Sequence, residues 1–133
     1  MPASFEARED GHVVFINFSD PLTVGDLYTM FKQDKAHRDQ FHQKHPDRKV
    51  HLVADSRELK AVPQGLLQAR QSPSLNHPTS GQIAVIGARN LVRALTEAIF
   101  RLTRFDRAVF FDNEEDAMAY IRQVIANGDK PVK

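Results

Sequence analysis

Gln82-Ile83-Ala84-Val85-Ile86-Gly87 is the stretch on which the fold turns. Four consecutive apolar residues closed by glycine are short for a helix and too evenly apolar for a half-wetted strand. They predict a strand covered on both faces. Upstream, Gln71 to Gly81 carries two prolines, three serines and an asparagine and reads as loop. Before it, Pro63 suits the first turn of a short helix over about Pro63–Arg70, burying Leu66, Leu67 and Ala69 or the stem of Arg70. Val50 to Ala54 predicts a strand that leaves through Asp55-Ser56-Arg57 into a loop. Downstream, Leu95, Ala98, Ile99 and Leu102 lie within about 80° of Leu91 at about 100° per residue, so a helix is expected over Asn90–Thr103. Ala108 to Phe111 is a strand. Asn113 and Asp116 then open a last helix with a buried stripe of Ala117, Ile121, Val124 and Ile125. Asn127-Gly128 stops it, and Asp129 to Lys133 reads as a polar tail.

At the other end of the chain, Ser4–Arg8 and His12–Phe18 flank Asp10-Gly11, a hairpin signal. A helix from Thr23 to His42 should follow. Thr23 and Asp26 have capping-box spacing, and Val24, Leu27, Tyr28 and Phe31 form an apolar face that turns polar at Asp34, Lys35 and Arg38 before Phe41. That polar middle predicts a weakened helix. The order implies an α/β fold: a mixed sheet of about five strands, opening with an antiparallel hairpin and continuing as β-α repeats, with four helices. One domain over residues 1–133 is expected, ordered over about 3–128.

Composition narrows the function. With 18 Lys+Arg against 17 Asp+Glu the formal charge is +1, which gives no general attraction to nucleic acid or to an anionic membrane. The absence of cysteine removes disulfides, thiolate nucleophiles and cysteine-based zinc sites. No apolar run is long enough to span a bilayer, and Met1–Gly11 lacks the apolar stretch of a signal peptide, so a cytoplasmic protein is expected.

The order of elements resembles the STAS (SpoIIAA-like, anti-sigma-factor antagonist) superfamily. The resemblance runs over nearly the whole chain and is carried by His51-Leu52-Val53-Ala54-Asp55, Gly65-Leu66, His77-Pro78 before Ile83–Gly87, and Val109-Phe110-Phe111-Asp112-Asn113-Glu114-Glu115-Asp116-Ala117. It implies a non-catalytic module that binds partner proteins, anions, nucleotides or lipids. The best-known members are switched by phosphorylating a serine at the start of the second helix. Gln64, within Val62-Pro63-Gln64-Gly65-Leu66, stands where that serine would be and cannot be phosphorylated, so the resemblance is to a divergent branch.

Several residue groups invite chemistry. Gly87-Ala88-Arg89-Asn90 runs from a strand into a helix N-terminus, where free N–H groups with Arg89 and Arg93 would suit an anion; the plainer reading is a turn that needs glycine. Phe100 lies opposite the apolar stripe of its helix and would meet a neighbouring element, line a ligand groove or, with Phe105, face a second copy of the chain, the favoured reading. The run Arg89, Arg93, Arg101, Arg104 and Arg107 is a solvated face or would dock an acidic partner. His37, His42 and His45 lie near Asp34, Asp39 and Asp47, but their spacing supplies no third metal ligand, and no metal or cofactor is expected. Asp55 and Asp112 follow strands, where open sheets place ligands, yet each has a turn or a helix start to serve. No Gly-x-Ser-x-Gly elbow is present. The reading expected from these features is a non-enzymatic, self-associating binding domain for a protein partner or small anionic ligand. Alternatives are a carrier of hydrophobic ligands or lipid, and, less favoured, an enzyme acting on a phosphorylated metabolite at Gly87–Asn90.

Overall fold

The structure, a computed structural model, describes residues 3–19, 23–58, 77–87 and 108–130. Five strands, β1 (Ala3–Arg8), β2 (Val13–Ser19), β3 (Val50–Glu58), β4 (Ser80–Ile86) and β5 (Ala108–Phe111), form one sheet in the order β1-β2-β3-β4-β5. The β1–β2 pair is antiparallel and every later pair is parallel. This is the mixed sheet expected from the chain order. The described residues hold two α-helices rather than four: α1 (Val24–Lys44) and α2 (Glu114–Ala126). The other two expected helices, over 63–70 and 90–103, fall outside the described residues.

Strand alternation divides the core in two. Val14, Ile16, Phe18, Val50, Leu52, Ala54, Ile83 and Val85 point to the face covered by Met30 and Phe41 of α1. Val13, Phe15, Val53, Ala84 and Ile86 point to the opposite face, against Ala117, Met118 and Ile121 of α2. The central strands are therefore covered on both sides, which is why they are apolar at nearly every position.

Local chemistry sets the element ends. Glu9, Asp10 and Gly11 all take positive φ (52°, 56° and 91°), giving the sharp reversal of the β1–β2 hairpin. Thr23 and Asp26 exchange both bonds of a capping box at the start of α1. Asn113 Oδ1 accepts from the Asp116 amide at 2.8 Å to start α2. At its end, the Asp129 amide donates to Val124 O and that of Gly128 to Ile125 O, with Gly128 at φ +70°: a Schellman motif.

Three expectations need correction. First, α1 is an unbroken helix of 21 residues, and the face it buries is Met30, Asp34, Arg38 and Phe41, with Phe31 partly covered. Tyr28, expected on the buried face, is 64% exposed. The charged residues go inward because they neutralise one another: Arg38 Nε donates to Asp34 Oδ2 at 2.8 Å, and Arg38 Nη1 donates to the carbonyl of Val50 at 2.9 Å. Second, β3 continues through Asp55-Ser56-Arg57 to Glu58, because Asp55 pairs in register with Asn17 on β2 and Ile86 on β4. Third, Asp129 is no tail residue. It is buried, as described below.

Candidate functional site at the carboxyl end of the sheet

In open α/β sheets the usual ligand position lies beyond the carboxyl ends of the parallel strands. Here that end is built around Asp55, which is 2% exposed. Residues two apart on a strand share a face, so Arg57 lies beside it. The guanidinium grips the carboxylate with two bonds, Nε to Oδ1 at 2.9 Å and Nη2 to Oδ2 at 2.6 Å. The Arg57 amide adds a third bond to Oδ1, and Asn17 Nδ2, from the neighbouring strand, donates to Oδ2 at 3.1 Å. Burial pushes the Asp55 carboxyl up, but the Arg57 and Asn17 donors outweigh it and hold the group below the usual carboxylate range. It is a fixed anion rather than a proton donor.

Arg57 itself stays reachable, its side chain 46% exposed. Its stem crosses Gly87, where a Cβ would collide with Arg57 Cγ. Gly87 also takes φ +62° while its amide donates to Phe111 O at 2.7 Å. A glycine is thus required twice over, by backbone conformation and by the arginine above it. Glu114, in the first turn of α2, extends the network: its carboxylate lies 3.7 Å from Arg57 Nη2 and accepts from Arg8 Nη1 at 3.2 Å. Arg8 lies over the Phe15 ring, 3.8 Å from the centroid. The N-terminus of α2 carries its own anions in Glu114, Glu115 and Asp116, so an added anion there would meet like charge. Asp112 is exposed.

Of the expected anion site, Gly87 is placed at this carboxyl end; Ala88, Arg89, Asn90 and Arg93 lie outside the described residues. So do Gln64 and the expected docking surface of Phe100, Arg101, Arg104 and Phe105. Sequence reasoning had Asp55 in a turn and did not pair it with Arg57. The available signal was the Asp-x-Arg spacing, which places opposite charges on one face if the strand runs on.

The amino end of the sheet carries a second polar cluster. His77 Nε2 lies 2.7 Å from Asp39 Oδ1, and His77 Nδ1 lies 2.9 Å from Thr79 Oγ1. This acid–imidazole–hydroxyl chain has the connectivity of a nucleophilic triad, but the exposures are reversed. Thr79 is fully buried, whereas the Asp39 side chain is 46% exposed, and His77 Nδ1 also accepts the Thr79 amide. The chain fastens α1 to the start of β4. Of the histidines weighed as metal ligands, His42 stacks edge-on against His77, and His45 packs on Phe41. Among the described residues no group of three or more His, Asp or Glu is arranged to hold a metal ion.

No protein-family model matches the chain, and neither a curated protein nor a solved structure does. No described helix is long and apolar enough to cross a membrane.

Proposed function

We propose that the chain is a non-catalytic, STAS-like binding domain that self-associates and docks a protein partner or a small anionic ligand at the carboxyl end of its sheet. The observation that carries this reading is the gathering of Asn17, Asp55, Arg57 and Gly87 from three adjacent parallel strands at that end. β3 and β4 both end there, at Glu58 and Ile86, beside the exposed Arg57 guanidinium. The antiparallel opening pair followed by parallel strands agrees with the mixed sheet expected of a STAS-like chain. Polar groups at this end hold one another as ions, which suits recognition by charge and hydrogen bonding better than proton transfer.

Native mass spectrometry of the purified chain tests the reading. A dimer mass, with free or retained small anion, supports it. A strict monomer that also shows no shift of the Arg57 and Gly87 amide resonances on titration with inorganic phosphate counts against it. Retained lipid would instead favour a carrier of hydrophobic ligands.

A further inference from the structure

All six histidines of the chain lie around the amino end of the sheet: His12 before β2, His37, His42 and His45 along and just after the second half of α1, His51 in β3 and His77 before β4. His51 is the innermost, its side chain fully buried. Its Nδ1 accepts the Gln82 amide at 2.9 Å, which forces the ring proton onto Nε2, and Nε2 donates to Asp129 Oδ1 at 3.0 Å. Asp129 also accepts from Arg48 Nε at 2.7 Å and from the Lys49 amide at 3.0 Å. Asp129 has φ +67°, a left-handed conformation that a non-glycine residue holds only when its surroundings enforce it. One imidazole therefore joins β3, β4 and the turn that ends α2.

We propose that His51 is the pin of an acid-sensitive latch that fastens the C-terminal turn of α2, residues 127–130, to the starts of β3 and β4. A proton on Nδ1 would face the Gln82 N–H donor to donor, so the protonated ring must break that bond. The ring lies against Gly81 and occupies the space its missing Cβ leaves. The groups facing His51 are Asp129 from the turn, which favours the imidazolium, and Arg38 from α1 and His12 from the hairpin, which oppose it. Arg48 faces the same Asp129, and β4 presents the Gly81 backbone and the Gln82 amide. Burial is the largest influence, and the balance holds His51 below its ordinary value. His12 is lowered as well, by burial and then by Arg48, and its Nδ1 is buried without a partner.

The sign follows directly. A histidine lowered on folding contributes stability that is complete above its unfolded value, about 6.5, and is lost as pH falls below it. Asp129, held at about 2, stays ionised throughout that window, so the imidazole gives way before the carboxylate.

The test is a pH titration of the full chain from 8 to 5, following the His51 ring nitrogens and the Gln82 and Asp129 amides by NMR. The expected result is His51 protonation below about pH 6.5, coincident with an at least about tenfold loss of protection at both amides relative to their intrinsic exchange at the same pH. The melting temperature should fall by roughly 5 °C between pH 7.5 and 5.5. Protonation at or above pH 6.5 with the Gln82 amide still protected would overturn the proposal. His51→Gln can still donate to Asp129 but cannot titrate, and it should lose at least half of the thermal pH slope; retention of the full slope would also overturn it. Should that variant fail to fold, the titration of the unmodified chain decides alone.

Discussion

The two ends of the sheet are built from the same chemistry and differ in access to water. At the carboxyl end, Asp55 is buried but its partner Arg57 is 46% exposed, and Glu114 beyond it is 42% exposed. At the amino end two pairs have both partners inside, although Asp39 beside His77 and Arg48 beside Asp129 reach water: the Arg38 and Asp34 side chains are 2% and 5% exposed, and those of His51 and Asp129 are 0% and 3%. Interior pairs cannot exchange their partners for water, so they fix geometry, and losing one member is costly. Pairs that reach solvent can trade one anion for another at small cost. One end is suited to holding the fold, and the other is where the proposed docking would take place.

The sharpest break of that contrast is Arg38→Ala, which strands the Asp34 carboxylate and the Val50 carbonyl in the interior. Urea unfolding should show a loss of about 3–5 kcal/mol. Replacing both partners, Asp34→Leu with Arg38→Met, should recover most of the loss, since a buried pair is often matched by apolar packing. Next in size is Gly81→Ala, whose methyl meets the His51 ring, at roughly 1–3 kcal/mol by the same measurement. At the carboxyl end, Arg57→Ala should cost only about 1–2 kcal/mol, because water can reach the freed Asp55. Glu114→Gln should fall within about 0.5 kcal/mol of the parent. If the carboxyl-end changes matched Arg38→Ala, the contrast between the ends would be lost. Acid unfolding adds a separate view: the Asp129 contribution should be complete above about pH 4 and lost as pH falls toward about 2, where its carboxyl titrates in the fold.

The sheet was legible because each of its strands announces itself locally. Ile83 to Ile86, the alternation through Val14, Ile16 and Phe18, and the Asp10-Gly11 turn need no distant partner to be recognised. The interior ion pair was not legible as such, since opposite charges four apart usually decorate a solvated helix face. A signal existed all the same: Asp34 and Arg38 fall in line with Met30 and Phe41, at helical spacing between two core residues. Asp129 gave none. Its partners Arg48, Lys49 and His51 lie some eighty positions away, and local rules correctly stop the helix at Asn127-Gly128 while saying nothing of what the next side chain reaches. Asp55 was displaced into a turn because a strand carrying Asp and Ser looks finished; its pairing with Asn17 and Ile86 keeps it going.

Native-state hydrogen exchange, resolved by residue at pH 7.5, tests the division between the two ends most directly. Amides of Val50, His51 and Gln82 should exchange only through global unfolding, whereas those of Arg57 and Gly87 should open locally at a lower free energy. Equal protection at both ends, or greater protection at Arg57 and Gly87, would contradict the account.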